Sequence, residues 1–88
     1  MASYSVRIKK SAIKELEAIP TKANRRRIVQ RIRSLADNPR PPGARKLSGN
    51  DRYRIRQGRY RILYAIRDRE LAVFVIRIGD RKSVYRTS

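Results

Sequence analysis

"YRIRQGRYRILY" spans Tyr53–Tyr64. Its two halves alternate basic and apolar residues around Gln57-Gly58, the pattern of two strands joined by a tight turn. Successive side chains on a strand point to opposite faces, so Tyr53 and Ile55 share one face and Arg54 and Arg56 the other. Past the turn, "RYRILYAI" places Tyr60, Ile62, Tyr64 and Ile66 on the apolar face, which leaves Arg61 beside Arg54 and Arg56. The quoted stretch holds four arginines and no acid. An ordinary solvated sheet face mixes signs, so a polyanion is the expected occupant of this one.

Outward from there, "RDRE" turns the chain into "LAVFVIRI" (Leu71–Ile78), apolar on both faces and hence a central strand. Gly79-Asp80 ends it, and "RKSVYRTS" follows as a basic tail carrying Tyr85. Upstream, Asn38–Asp51 reads as loop, with three of the four prolines and two of the four glycines. Before it, "KANRRRIVQRIRSLADNP" carries Ile28, Val29, Ile32, Leu35 and Ala36 at helical spacing, with Thr21 as N-cap and Pro39 closing the segment. "AIKELEAI", capped by Ser11, predicts a shorter helix with Ile13, Leu16 and Ile19 as its buried stripe. Tyr4–Ile8 alternates and predicts a first strand. The expected fold is α+β: an N-terminal strand, an antiparallel helical hairpin, then a three-stranded antiparallel meander with both helices on one face of the sheet. Residues 1–88 are expected to form one domain.

Composition narrows the function. The chain is 40% hydrophobic, enough for a core, yet has 24 Lys+Arg against 7 Asp+Glu, a formal charge of +17. Such self-repulsion calls for a polyanion or an acidic protein partner. Arginine dominates, and its planar fork suits bidentate phosphate contacts. With no cysteine and no histidine, thiol catalysis and the commonest metal ligands are excluded. The seven acids are scattered along the chain, so neither a metal site nor a cofactor is expected. The N-terminus lacks a signal-peptide pattern and no segment is apolar enough to span a bilayer, which predicts a cytoplasmic chain with no membrane partner.

RNA carries its own nucleophile, the ribose 2′-hydroxyl. A metal-free nuclease then has to align the attack, stabilise the phosphorane and move two protons. Arginines supply the second of these through donors aimed at developing charge. Arg54, Arg56 and Arg61 are the candidates on the sheet, with Arg81 and Tyr85 just after it. Nearby cations would lower the Tyr85 phenol from its ordinary value near 10; the ring could equally stack on a base. Arg26, Arg27, Arg45, Lys46, Arg52, Arg59 and Lys82 are expected to bind RNA, and Arg25, Arg31 and Arg33 extend the helical part of that surface.

As a whole the chain resembles the RelE/ParE superfamily of bacterial toxins. "SAIKELEAIP" looks like the family's first helix and "ARKLSG" resembles its K-L-x-G segment. "YRIRQGRYRILYAI" is similar to its two-strand core, and "VFVIRIGDRKSVYR" to its last strand with a Gly-x-Arg and a tyrosine behind it. The resemblance implies a type II toxin that cuts mRNA in the ribosomal A site, leaving a cyclic phosphate and a 5′-hydroxyl, and a cognate antitoxin that is small and acidic or amphipathic-helical. It places Arg54, Arg56, Arg61, Arg81 and Tyr85 at the ribonuclease positions; ParE-like members, which inhibit DNA gyrase, generally lack them. Two departures stand out. Arg54 and Arg56 occupy positions where the best-known RelE pattern has lysines, and arginine cannot serve as a base. Ser48 replaces a residue that is basic in some relatives. A plain RNA-binding protein using the same face is the third reading.

Overall fold

A computed structural model describes residues 3–47 and 51–80. The elements run β1 (Ser5–Ile8), α1 (Lys10–Glu17), α2 (Lys22–Ser34), β2 (Arg45–Lys46), β3 (Arg52–Gln57), β4 (Tyr60–Arg67) and β5 (Ala72–Asp80), with a 3₁₀ turn at Asp68–Glu70. They form one five-stranded sheet in the order β1-β5-β4-β3-β2. The meander is antiparallel as expected, whereas β1 pairs with β5 in parallel.

The core lies between the sheet and the helices. Ile55, Ile62 and Ile78 stand in one row across β3, β4 and β5, all at most 1% exposed. Ile28, Ile32 and Leu35 close over them from α2 and its C-cap, and Ala12 and Ile19 from α1 and the loop after it. On β5 the buried positions Val73 and Val75 are two apart, but Ile78 is three further on. That spacing needs an extra residue, because alternation alone would turn Ile78 outward. Leu63 pairs with Arg77 and Tyr64 with Val75, so Ile76 is the bulged residue.

Three local expectations are corrected. Helix α1 starts at Lys10, not after Ser11, because the Lys9 N–H donates to the Val75 carbonyl at 2.9 Å and carries the β1–β5 ladder up to the helix. Its inward face is therefore Ala12 and Leu16, and Ile13 is 39% exposed. The hairpin turns at Gly58-Arg59, since Gln57 still pairs with Tyr60; Gly58 has φ +62° at the first central position, the conformation of type II′ turns. The segment expected to be all loop contains β2, which pairs Arg45 with Arg54 and Lys46 with Tyr53.

Long-range polar contacts pin the ends of the sheet. Beyond β1, the open edge of β5 is met by Glu15, whose carboxylate accepts the Ile78 N–H at 3.0 Å and the Arg77 Nε at 3.1 Å. At the other end, Arg40 in the proline-rich loop donates twice to Asp68, at 2.9 and 3.2 Å, and Tyr4 donates to Asp68 at 2.7 Å. Arg40 Nε also donates to the Tyr53 hydroxyl, and the Tyr64 hydroxyl to the Pro39 carbonyl at 2.7 Å. Burial, then the neighbouring Tyr53, pushes the Tyr64 phenol up to about 12, so it keeps the proton it donates. Arg40 and then Tyr4 hold the Asp68 carboxyl at about 2, below the ordinary 3.8. A depressed carboxyl adds stability that is complete above its unfolded value and is lost as pH falls through the folded one. Thermal melts should therefore lose stability between about pH 4 and pH 2 more steeply in the wild type than in Asp68→Asn; parallel pH profiles would contradict the clamp.

Candidate nucleic-acid interface

The sheet face opposite the helices is organised in rows set by strand register. At the hairpin end Arg56, Arg61 and Gly79 lie side by side. One row back come Arg45, Arg54, Leu63 and Arg77. Rows on one face are about 7 Å apart at ~3.3 Å per residue. The alternation read from the sequence thus places Arg54, Arg56 and Arg61 on one face, with Arg45 beside them. Arg81, Lys82 and Tyr85, together with Ser48, lie outside the described residues.

Arg56 and Arg61 face each other directly across β3 and β4. Like charges opposite one another destabilise a sheet, and Arg61 is only 9% exposed. An anion in the cleft would offset the positive charge gathered there. Gly79, on the β5 side of Arg61, contributes no side chain to fill the space above it. Arg56, Arg59, Tyr60, Arg61 and Asp80 line a cleft of about 360 Å³ there. Its one carboxylate among the described residues, Asp80, pairs with Arg59 at 2.5 Å, with the two side chains 42% and 69% exposed. So exposed a pair is weak and can be displaced.

The remaining basic residues divide. Arg26, Arg27 and Arg33 are exposed on α2, as are Lys46 and Arg52 on the sheet. Arg25 turns back to donate to the Ile19 carbonyl between the helices. Arg31 is half-buried with its Nε inside, near Gly43. Neither could be told from its solvated neighbours by sequence, because helical spacing does not show which arginine a later loop will cover. Among the described residues no three carboxylates gather as a metal site would require, and no helix is long and apolar enough to cross a membrane.

The family described as "ParE toxin of type II toxin-antitoxin system, parDE" matches residues 6–85. The chain belongs to this toxin family. It is a RelE-like type II toxin. The RelE of the archaeal RelE–RelB complex from Pyrococcus horikoshii is 30% identical, with a TM-score of 0.82 over 92% of this chain and 98% of that one. A toxin–antitoxin complex from Mycobacterium tuberculosis contains a chain 26% identical, with a TM-score of 0.79 over 92% of this chain and 94% of its own. A putative RelE-like toxin of Escherichia coli is 28% identical over 90% of this chain and 84% of its own length.

Proposed function

We propose that this RelE-like toxin is a metal-independent mRNA interferase that acts on the ribosome. The observation carrying this reading is the Arg56–Arg61 pair held opposite across the hairpin, with Arg54 one row behind. In the proposed reaction the 2′-oxygen bonds to the adjacent phosphorus and the bond from phosphorus to the 5′-oxygen breaks. The products are a 2′,3′-cyclic phosphate and a 5′-hydroxyl. One proton leaves the 2′-hydroxyl and one reaches the departing 5′-oxygen. Arg54, Arg56 and Arg61 hold the phosphate and the charge that builds on the phosphorane. By the family resemblance, Arg81 adds to that charge and Tyr85 takes or relays a proton. Arg26, Arg27, Arg45, Lys46, Arg52, Arg59 and Lys82 carry the electrostatic contact with mRNA and rRNA.

The antitoxin is proposed to be a small chain, acidic or with an amphipathic helix; the structures from Pyrococcus horikoshii and Mycobacterium tuberculosis named above are themselves toxin–antitoxin complexes. The cleft between α1 and α2, where Leu16 and Val29 lie among Lys22, Arg25, Arg26 and Arg33 with Glu17 as its acid, is the proposed seat of such a helix.

The test uses purified toxin, ribosomes and a defined mRNA. The proposal expects cuts in the A-site codon, ending in cyclic phosphate, only when ribosomes are present. The ParE description of the matching family favours a second reading, gyrase inhibition. Intact mRNA together with lost DNA supercoiling would establish that one instead.

Asp80 gives a further check. Asp80→Asn should release Arg59 for phosphate, tighten binding of single-stranded RNA severalfold, and steepen the slope of log affinity against log salt by about 0.7. An unchanged slope would show that Arg59 does not meet RNA.

A further inference from the structure

The free face continues beyond the arginine rows. Arg7, Phe74, Ala65 and Arg52 form the next row, one residue from each of β1, β5, β4 and β3. With Lys9 and Arg67 they line a separate cleft of about 440 Å³. The Phe74 ring is half-buried, and Ala65 beside it offers only a methyl group. The Arg67 guanidinium stands 5.6 Å from the ring centroid. Among the described residues Asp51 is the one acid lining the cleft, and it lies 3.8 Å from Arg67, with both side chains well exposed.

A flat aromatic floor ringed by cations matches a nucleotide in both its parts. The base stacks on the ring, and the phosphates on either side meet arginines. The guanidinium over Phe74 already occupies the position a base would take. A base displaces it, and Arg67 then turns to a phosphate, since its exposed pair with Asp51 holds it weakly. Ala65 is four residues along β4 from Arg61, roughly 13 Å at ~3.3 Å per residue, so one strand can reach both places.

We propose that Phe74 is a base-stacking platform for single-stranded RNA, holding a nucleotide that flanks the one bound at Arg56 and Arg61. This rests on the reading of the arginine rows as an RNA site. Phe74 is a binding residue in this account, away from the reacting atoms.

The test is fluorescence anisotropy of the full-length protein with a labelled single-stranded RNA and with the same oligomer made abasic. The wild type should prefer the base-bearing strand about tenfold or more. Phe74→Leu keeps the apolar volume and should abolish that preference while leaving the salt slope unchanged. Phe74→Tyr, which keeps a stacking face, should restore it, and serves as the measurement if the leucine variant does not fold. Arg67→Gln should keep the preference and flatten the salt slope by about 0.7. A wild type indifferent to bases, as expected for charge-only binding of any acidic partner, overturns the platform. So does Phe74→Leu with the wild-type preference intact. Ribosome-dependent cleavage measured on the same wild-type preparation separates the two claims. Base preference without cleavage leaves the platform standing and removes the nuclease; cleavage without base preference does the reverse.

Discussion

Replacing Arg61 with glutamine is expected to lower translation-dependent cleavage roughly a hundred- to thousandfold, the usual cost of removing one donor aimed at a developing oxyanion. Arg61 is the most buried of the described arginines on the proposed site and faces Arg56 directly. Its position is fixed by β4, an interior strand, so it is poised before substrate arrives. Loss of the charge removes one member of an opposed like-charged pair and lowers the repulsion between those two side chains. Arg61→Lys keeps the charge but loses the planar fork, and should recover only part of the rate. Single-turnover cleavage on programmed ribosomes, with thermal melts of each variant, measures this. Wild-type cleavage by Arg61→Gln would remove the arginine rows from the chemistry.

The second large effect is on stability. Ile62→Ala should cost about 2–5 kcal/mol, from lost burial and the cavity left behind. Ile62 is fully buried in the middle of the Ile55–Ile62–Ile78 row. Its two neighbours belong to different strands, so the void cannot close by the movement of one side chain. In a chain of 88 residues that is a large share of the total stability. Ile13→Ala is the contrasting variant. Ile13 is 39% exposed on α1, and its truncation should cost well under 1 kcal/mol. Denaturant melts giving equal losses at the two positions would contradict the observed packing of α1.

The meander was legible because alternation of period two is a local property. Tyr53, Ile55, Ile62 and Tyr64 declared the inward face, and Arg54, Arg56 and Arg61 followed as the outward one. Errors arose where tertiary contacts set the local structure. Helix α1 begins where the parallel β1–β5 ladder ends at Lys9, so Ser11 never became a cap. Strand β2 is two residues long, too short for any periodic signal, and exists because β3 offers it an edge. The one-residue shift of the hairpin turn keeps Arg54, Arg56 and Arg61 on one face but changes the partner: a loop at Gln57-Gly58 would set Arg61 opposite Arg54, whereas the loop at Gly58-Arg59 sets it opposite Arg56. Partners distant in sequence, such as Arg40 with Asp68 or Glu15 with the Ile78 N–H, carry no local mark. In the sequence Phe74 carries no mark beyond an apolar position on a central strand; only the register that puts Arg7 and Arg52 in its row makes it a candidate for binding. The bulge at Ile76 did leave a trace, in the two-then-three spacing of Val73, Val75 and Ile78.

Brief induction of the toxin in bacteria, with 5′ ends mapped on one well-translated mRNA and on the same mRNA lacking its start codon, decides whether the toxin cuts mRNA during translation. The expected result is new 5′-hydroxyl ends inside codons of the translated message and none on the untranslated one. Growth arrest with both messages intact would contradict it.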